Sequence, residues 1–600
     1  MKKLALLFTV LAGCYLLFSP LKYPKAYSQK YPEMLTRIAL LPSINLQRCQ
    51  ESVKHDYETF VGLSEDDNQK AYYWAKIYGG PGDDKIRSIT KTADGDFIIG
   101  ATEFRSFAPD RSYSNWLFKL SKRGEIRWER VFRIKGGRNE ETFCVKATDD
   151  GGCIVGGNYV VPENTELTII KLLPDGEVEW SYTYPQINGN TAHSIQQTID
   201  GGYIVVGLTG TFNALEKDLW VLKLSSRGEV EWDGVFGGPD LEADWYNGRR
   251  VASAIQVSDG GYVVACDTHS FGAGWSDIWI IKLSKVGDIE WQRTYGGKES
   301  EWLYYSGPHI LETRDGGLIV AGETLSFGAG GNDAWIMKLT KEGDVEWQHT
   351  YGGERGDRAD AIRQAYDGGY IVAGSTVSFG STEGNNFWLL KISEKGKIIW
   401  ERTYGPAIRL VSFEQADEGG YVLIGSTGSQ GAQGEDILVL KVSLDGNIGP
   451  ACEIVKNSNA VVMDTHVLPQ DTEVERKTTE VERQRVKLTT QDTNASIGTI
   501  CLWSESLPNA PKSLRAKAIT RQNIRLRWKD KSNDEDGFFI ERRSDTSGTW
   551  EMIKKISRNA KKYTDKRLEA DKLYYYRVRA FNSNGYSDYS NVAEARTKKQ

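Results

Sequence analysis

The chain has 600 residues, 40% of them hydrophobic and 26% charged, with a formal net charge of −6. That length exceeds one ordinary domain, and that composition excludes collagen-like and largely disordered proteins. Seven cysteines exclude a disulfide-rich scaffold, and the acidic balance gives no overall signal for nucleic-acid binding. The 62 glycines and 18 tryptophans indicate short strands, tight turns and aromatic packing.

The N-terminus has the pattern of an export signal. Two lysines precede an apolar run over residues 4–18, which is too short to span a bilayer comfortably. Small residues at 26–28 suit cleavage by signal peptidase, whereas the segment Leu-Ala-Gly-Cys that ends at Cys14 resembles a bacterial lipobox. An uncleaved anchor is the third alternative. Residues 1–28 are therefore predicted to be a signal peptide or anchor.

Each of these alternatives places the protein outside the cytoplasm: secreted, periplasmic, or attached to the envelope as an anchored protein or lipoprotein. Any membrane attachment is predicted through the N-terminus only. Residues 29–71 form an N-terminal extension before the first recognisable repeat.

A sequence repeat occurs seven times between residues 72 and 449. Each copy holds a turn of the Asp-Gly-Gly type, which reads Asp-Gly-Asp in the first copy and Glu-Gly-Gly in the last, and these turns begin at Asp94, Asp150, Asp200, Asp259, Asp315, Asp367 and Glu418. Each copy also has a lysine, at Lys119, Lys171, Lys223, Lys282, Lys338, Lys391 and Lys441. A tryptophan opens each copy, at Trp74, Trp128, Trp180, Trp232, Trp291, Trp347 and Trp400. Such internal self-similarity identifies a repeat architecture.

Each copy reads as four short strands separated by glycine turns, with no sustained helical period. Four-stranded repeats of this length predict an all-β fold, a β-propeller with seven blades over 72–449. The strand at 74–78 has no preceding partner within its own copy. If it pairs with the strand at 438–442, every blade has four strands and the ring closes without an open edge.

The repeats resemble the Gly- and Trp-rich repeats of secreted bacterial proteins predicted to be propellers, through stretches such as Gly-Gly-Tyr-Ile-Val-Ala-Gly at 368–374. They also resemble quinoprotein propeller repeats, in which a pattern like that of Leu283, Gly287 and Trp291 docks blades. These resemblances imply the fold. They imply little about activity, because propellers host unrelated functions.

Residues 450–507 lose the repeat and become a polar connector. This segment could form irregular strands or a tethered loop, and the sequence does not decide between these two structures. Cys452 and Cys501 bracket it, and in an exported protein they are the cysteines predicted to form a disulfide. In the second copy, Cys144 and Cys153 are a second possible pair, across a hairpin.

Residues 508–600 resemble a fibronectin type III domain, through Leu-Arg-Trp ending at Trp528, Tyr-Thr-Asp ending at Asp565, and Tyr-Tyr-Tyr-Arg-Val starting at Tyr574. The resemblance implies a β-sandwich with Trp528 inside and Tyr574 as corner tyrosine. The segment has 23 Lys and Arg against 12 Asp and Glu, a net +11, so the rest of the chain carries −17. Two roles for this domain remain open: it contacts anionic polymers of the envelope, or it is a solvated spacer.

No catalytic, cofactor or metal site is predicted. The histidines lack metal-ligand spacing, and no nucleophile elbow or phosphate loop is present. Aspartates five residues before the repeat lysine, at Asp218, Asp277, Asp333 and Asp436, indicate a structural turn or a hydrogen bond between blades rather than a metal ring. The integrin-type tripeptide that ends at Asp357 is interpreted as drift within the repeat.

Aromatic insertions in the fourth and fifth copies are the best candidates for ligand binding. They bring Trp245, Tyr246, Trp275, Trp302, Tyr304 and Tyr305 into loops. Propeller geometry predicts that these loops lie on one face, around the blade that turns at Asp259. Exposed aromatic side chains suit a sugar or a protein partner. The competing interpretation is a hydrophobic plug.

The sequence favours an exported, non-catalytic binding or adhesion protein whose propeller face binds a carbohydrate or a protein partner at the cell envelope. No cofactor and no nucleic-acid partner are expected. One alternative is a quinoprotein-like dehydrogenase or another propeller enzyme of the envelope, and a scaffold in an envelope complex is a third hypothesis.

Overall fold

The computed structural model describes residues 70–79, 82–104, 113–134, 138–161, 164–185, 191–210, 217–242, 252–304, 309–380, 384–405, 407, 409–428, 435–450, 452–479, 481, 483–486, 488–491, 495–544 and 550–599. Every regular element in these residues is a β-strand, which confirms the all-β prediction. No helix that could cross a membrane occurs among them.

Seven separate antiparallel sheets follow one another along the chain after strand β1 (Lys70–Gly79). Sheet 1 contains β2 (Asp84–Lys91), β3 (Phe97–Phe104), β4 (Tyr113–Leu120) and β5 (Ile126–Ile134). Sheet 2 contains β6 (Arg138–Ala147), β7 (Cys153–Val161), β8 (Asn164–Leu172) and β9 (Val178–Tyr184). Sheet 3 contains β10 (Thr191–Gln197), β11 (Tyr203–Thr209), β12 (Asp218–Leu224) and β13 (Val230–Phe236). Sheet 4 contains β14 (Ser253–Gln256), β15 (Tyr262–Thr268), β16 (Asp277–Leu283) and β17 (Ile289–Tyr295).

The remaining three sheets continue the pattern. Sheet 5 contains β18 (Glu301–Trp302), β19 (Ile310–Glu312), β20 (Leu318–Thr324), β21 (Asp333–Leu339) and β22 (Val345–Gly352), with β18 and β19 both paired to β20. Sheet 6 contains β23 (Asp357–Gln364), β24 (Tyr370–Thr376), β25 (Asn386–Ile392) and β26 (Ile398–Tyr404). Sheet 7 contains β27 (Arg409–Gln415), β28 (Tyr421–Gly428), β29 (Glu435–Val442) and β1.

Sheet 7 joins the two ends of the repeat region. Strand β1 pairs with β29 in the register Trp74 to Lys441 through Tyr78 to Ile437, which confirms the predicted pairing. Strand pairing stays within each sheet, so the closed seven-bladed propeller remains a prediction at this level.

The repeated acid and the repeated lysine form one ion pair in each sheet. The lysine lies on the third strand of its sheet, and its ammonium group reaches the carboxylate of the hairpin turn between the first two strands. Lys119 lies 2.6 Å from Asp94, and Lys171 lies 2.7 Å from Asp150. The five other lysines make the same pair with Asp200, Asp259, Asp315, Asp367 and Glu418. Because all seven lysines are buried, the pair is what makes their burial tolerable.

Hydrogen bonds also join each sheet to the next. The donors are the Trp and Tyr side chains of the last strand, and the acceptors are carbonyls in the last turn of the following sheet, at 2.5–3.2 Å. From sheet 1 onward the pairs are Trp128 to Pro174, Tyr184 to Gly228, Trp232 to Lys285, Tyr295 to Gly343, Tyr351 to Gly396, Tyr404 to Gly446 and, from sheet 7 to sheet 1, Tyr78 to Gly124. Seven hydrophobic clusters likewise each mix side chains of two consecutive sheets, including sheets 7 and 1.

The connector is built of short strands, which decides between the two open interpretations. We call residues 450–507 the strap. Its strands are β30 (Val455–Asn457), β31 (Val461–Asp464), β32 (Gln470–Asp471), β33 (Gln484–Arg485), β34 (Leu488–Gln491) and β35 (Ser496–Ser506). They add to the last strands of sheets 6, 5, 4, 2, 1 and 7, in that order. A bridge from Lys477 to Val235 adds sheet 3 between sheets 4 and 2. A disulfide joins Cys452, before the first of these strands, to Cys501 in the last.

Two sheets pack face to face in residues 508–599 and form the C-terminal sandwich. One sheet contains β36 (Lys512–Ala518), β37 (Ile524–Lys529) and β40 (Lys562–Asp565). The other contains β38 (Gly537–Arg543), β39 (Glu551–Ser557), β41 (Leu573–Asn582), β42 (Gly585–Tyr586) and β43 (Ala593–Arg596). Trp528 is buried between them, and the Tyr574 hydroxyl accepts a hydrogen bond from the Glu569 N–H at 3.1 Å.

The C-terminal sandwich docks on the turns of sheets 6 and 7. The Arg579 guanidinium lies 4.0 Å from the ring centre of Tyr366 in sheet 6 and 4.1 Å from that of Tyr586. The Tyr586 N–H donates to the Glu418 carbonyl at 2.5 Å. A Cβ on Gly419 would lie only 2.8 Å from the Cα of Gly585, so this close approach of two backbones requires glycine.

Candidate functional site

Three of the six aromatic residues singled out from the sequence are described by the structure: Trp275, Trp302 and Tyr304. Trp245, Tyr246 and Tyr305 lie outside the described residues. The three described aromatics occupy two different environments.

Trp275 is strongly exposed, at 78% of its possible surface. It ends a loop between β15 and β16 that is held from both sides. The Gly274 N–H donates to the Asp277 carboxylate at 3.1 Å, and the Trp275 N–H donates to the Glu299 carbonyl of the next sheet at 2.8 Å. The backbone is thus fixed while the indole ring faces solvent.

The corresponding loop of sheet 5 shows that the indole is an addition to a repeated scaffold. There the Ala329 N–H donates to the Asp333 carboxylate at 2.9 Å, as in sheet 4. The residue at the position of Trp275 is Gly331. Because the loop forms with glycine at this position, the fold of the loop does not need the tryptophan.

Trp302 and Tyr304 are half-buried and pack on interior residues. Their ring centres lie 6.1 Å apart, edge to face, and the Arg358 guanidinium lies 5.7 Å from the Tyr304 ring. Leu303 between them is fully buried in the cluster of sheets 4 and 5. Tyr304 also contacts the cluster of sheets 7 and 1. This part of the insertion fills space between sheets, as the plug interpretation expects.

Buried acids lie beneath the loops. Asp277 and Glu301 of the next sheet are both fully buried, and so are Asp333 and Asp357. Burial, together with the charge of Glu301, raises the pKa of Asp277 to about 6. Burial and the charge of Asp357 raise the pKa of Asp333 to about 6 in the same way. Glu242 has its pKa raised by burial to about 7.

These acids brace loops rather than form an exposed catalytic pair. Their partners are loop N–H groups and hydroxyl groups, as in the bonds from Gly297 at 2.9 Å and from Thr324 at 2.7 Å to Glu301. Within the part of the chain that the structure describes, no group of three or more His, Cys, Asp or Glu side chains could hold a metal ion. The arrangement offers an exposed aromatic ring on a rigid loop.

The tripeptide Arg355-Gly356-Asp357 does not present its acid. Asp357 is fully buried, and its carboxylate accepts hydrogen bonds from the Gly353 N–H at 2.8 Å and the Ser378 hydroxyl at 2.6 Å. An integrin-type contact requires a free carboxylate, so this segment is a loop brace of the repeat.

The proposed pairing of Cys144 with Cys153 is wrong, because both are buried free thiols. In the hairpin, Cys144 faces Gly156 and Cys153 faces Ala147, so the two are not opposite one another. Burial raises the pKa of both thiols to about 12, which makes them unreactive. Cys266 is a third buried free thiol.

Sequence reasoning missed the residues that hold the C-terminal sandwich, Tyr366 and Arg579. A signal was present: the residue before the turn acid has no fixed identity in the repeat, yet only the sixth copy has an aromatic there. Two residues before the turn acid, copies six and seven have alanine. Four of the other five copies have threonine at that position. These departures mark the two turns that the sandwich contacts.

Comparison with known proteins identifies the C-terminal sandwich. The fibronectin type III domain family model matches residues 509–596, which confirms the resemblance for this part of the chain. Among solved structures, the match to "Crystal Structure of FN3tt" has 22% identity and a TM-score of 0.15 and covers 16% of this chain and 100% of that one.

Two further matches have the same extent in this chain. A Fn3-like protein from Clostridium thermocellum matches at 22% identity and a TM-score of 0.14, over 16% of this chain and 98% of that one. Titin kinase with its flanking domains matches at 23% identity and a TM-score of 0.14, over 15% of this chain and 17% of that one. The chain thus spans about a sixth of that longer protein.

Proposed function

We propose that the protein is an extracytoplasmic, non-catalytic binding or adhesion protein in which seven sheets form a closed β-propeller and Trp275 contacts a carbohydrate. The observation that carries the proposal is the exposed indole of Trp275 on a loop fixed by the neighbouring sheet. The fibronectin type III domain belongs to a class of modules that typically bind or serve as scaffolds. The export signal expected in residues 1–28 supports a location at the cell envelope.

Two cyclic series of contacts support the closed ring. Hydrogen bonds run from each sheet to its successor and from sheet 7 to sheet 1, through Tyr78 and Gly124. The strap contacts sheets 6, 5, 4, 3, 2, 1 and 7 in a single pass. A chain of about 50 residues that reaches seven edges in this order supports an arrangement of those edges around one circumference.

The chemistry of the loop favours a sugar as the partner. An indole ring offers a flat apolar surface and an N–H donor, which suits the alternating apolar and hydroxyl-bearing faces of a pyranose. A protein partner is the other outcome that the test distinguishes.

The test is a glycan array of neutral saccharides probed with the full chain, followed by titration of the strongest binder. We expect Trp275→Ala to weaken binding by about tenfold or more, because it removes the stacking surface. Ile199→Ala is the matched control, since Ile199 is 84% exposed in a turn of sheet 3. Unchanged affinity of the Trp275 variant, or binding to no saccharide, would contradict the proposal.

A further inference from the structure

The outer face of the sheet formed by β36, β37 and β40 carries a dense positive charge. We call it the basic face. Its seven charged side chains are all exposed, and they are Lys512, Arg515, Lys517, Arg525, Arg527, Lys529 and Lys562. The alternation in β37, where Ile524, Leu526 and Trp528 are buried, turns every second residue outward. On the third strand, the residue opposite Arg525 is Thr564, which is uncharged.

The strand register sets like charges directly opposite one another. Arg515 faces Arg527, and Lys517 faces Arg525. Arg527 in turn faces Lys562 on the third strand. Like charges in facing positions destabilise a sheet, so this arrangement lowers the stability of the domain. Because no ion pair among the described residues offsets this destabilisation, the face indicates an external partner that supplies anions.

The acids of the sandwich are engaged elsewhere. Asp565 is paired with Arg542 at 3.1 Å, and Glu541 is paired with Arg577 at 2.6 Å. Both acids are buried and belong to the interior or to the other sheet. Among the described residues, no ion pair joins an acid to any of the seven side chains of the basic face.

Docking leaves the basic face open. The sandwich contacts sheets 6 and 7 through Phe539, Arg579 and Tyr586, which all lie on the sheet of β38, β41 and β42. The basic face belongs to the opposite sheet. The docked sheet therefore anchors the domain, and the other sheet presents its charges to solvent in a fixed orientation.

We propose that the basic face binds a linear anionic polysaccharide. Along each strand its charges repeat every ~7 Å, and the strands lie ~5 Å apart, which suits a polymer with one anionic group in each sugar unit. The face has no aromatic side chain on which nucleic-acid bases could stack. It also has no apolar side chain that could enter a lipid bilayer.

The charge distribution of the chain supports the same orientation. Residues 508–600 carry a net +11, whereas the rest of the chain carries −17. An anionic polymer is repelled by the acidic body and attracted to the basic face, so long-range electrostatics guides it to this surface. This binding site is separate from Trp275 and does not depend on it.

The experiment measures binding of the full chain to polygalacturonate at low salt, with dextran as the neutral comparison. The test variant combines Arg515→Gln, Arg525→Gln and Arg527→Gln. The matched control combines Lys554→Gln, Arg558→Gln and Lys598→Gln, which removes three exposed charges of the same domain outside the basic face. We expect the test variant to bind at least about tenfold more weakly and the control to lose less than about twofold.

A sugar polymer whose charge comes from phosphate, polyribitol phosphate, is the second arm and distinguishes carboxylate from phosphate as the preferred anion. Binding to either polymer that the test variant loses supports the proposal. Stronger binding to phosphatidylglycerol vesicles or to single-stranded DNA than to both sugar polymers would overturn it. Equal losses in the two variants, or no binding to either polymer, would also overturn it. Both variants change exposed residues, and circular dichroism checks that each is folded.

Discussion

The repeat region and the C-terminal sandwich treat their basic residues in opposite ways. In the repeats, each buried lysine is matched with the acid of its own hairpin turn, as Lys171 is with Asp150. In the sandwich, Arg515, Arg525 and Arg527 are exposed and face one another. The first arrangement stabilises a fold, and the second destabilises one. The difference teaches that the charges of the repeats serve structure, while those of the basic face are available for binding.

The strap disulfide offers the largest test of this division, because it constrains the repeat region alone. Cys452 and Cys501 are 49 residues apart, and the chain has no cysteine after Cys501. Replacing both by serine is expected to cost about 4 kcal/mol in the stability of the repeat region, through lost loop closure. Denaturant unfolding measures the effect, and the transition of the C-terminal sandwich serves as the internal control. A transition of the repeat region that does not move would contradict the assignment.

Breaking an ion pair of the repeats is the next largest effect. Lys441 is fully buried and the Glu418 side chain is only 14% exposed, so Glu418→Gln leaves an ammonium group inside the protein without its counter-charge. We expect a loss of about 3 kcal/mol in the free energy of unfolding.

Asp315→Asn is the matched control, because Asp315 is 61% exposed and its partner Lys338 also contacts Glu346. Its expected cost is below about 1 kcal/mol. Equal costs in the two variants, measured by urea denaturation, would show that burial does not govern these pairs.

Releasing the sandwich from sheets 6 and 7 tests whether docking orients the basic face. Tyr366→Ser removes the ring that contacts the Arg579 guanidinium and meets Phe539 edge to face, with an expected loss of about 2 kcal/mol in docking energy. Hydrogen exchange should accelerate in residues 416–420 and 585–587. Ile199→Ser, at the same turn position of sheet 3, should leave both segments unchanged. Unaltered exchange in the Tyr366 variant would mean that the contact contributes nothing.

The pH dependence of stability separates the buried acids of the repeat region from the ion-paired acids of its turns. Burial raises the pKa of Asp277 and Asp333 to about 6, so the folded state binds these protons more tightly than the unfolded state. Their stabilisation is present at low pH and is lost as the pH rises through 6. Stability should therefore increase by about 1.4 kcal/mol for each of the two acids on acidification from pH 8 to 5.

The ion-paired turns act in the opposite direction at lower pH. Burial opposes ionisation of Asp94, yet hydrogen bonds from Lys119 and Thr92 lower its pKa to about 2. Its contribution is present above about pH 4 and is lost as the pH falls toward 2. Thermal unfolding across this range should show a maximum between the two regimes. The double variant Asp277→Asn and Asp333→Asn should reduce the upper slope only, and Glu242, whose pKa burial raises to about 7, should supply the remaining slope. An unchanged profile would refute the assignment.

Neutralising the basic face gives the smallest effect on stability, with a distinctive sign. Replacing Arg515, Arg525 and Arg527 by glutamine removes facing like charges. We expect a gain of about 0.5 kcal/mol in the free energy of unfolding. The matched variant at Lys554, Arg558 and Lys598 should be neutral. A loss of stability in the first variant would show that these arginines serve the fold.

The sequence was sufficient for features set by local chemistry. Glycine turns and alternating strands predicted four strands in each repeat, and the unpartnered Trp74 strand predicted the pairing with Lys441 that the register confirms. The fibronectin-type segment was likewise recognisable from residues on its own strands, such as Trp528.

Features that depend on distant contacts could not be obtained in this way. The strap strands are as short as two residues, such as Gln470–Asp471, and show no alternation, because they add to the edges of existing sheets. The separation of exposed Trp275 from packed Tyr304 depends on the space between sheets. Nothing in the local pattern of either insertion distinguishes them.

The central claim, that charge is structural in the repeats and available on the sandwich, is tested most directly by the salt dependence of polygalacturonate binding. The affinity of the full chain should fall steeply as salt concentration rises, because each neutralised charge pair releases counterions. The slope should be clearly smaller for the Arg515, Arg525 and Arg527 variant and unchanged for Asp315→Asn in the repeats. A slope that is the same in all three proteins would contradict the account.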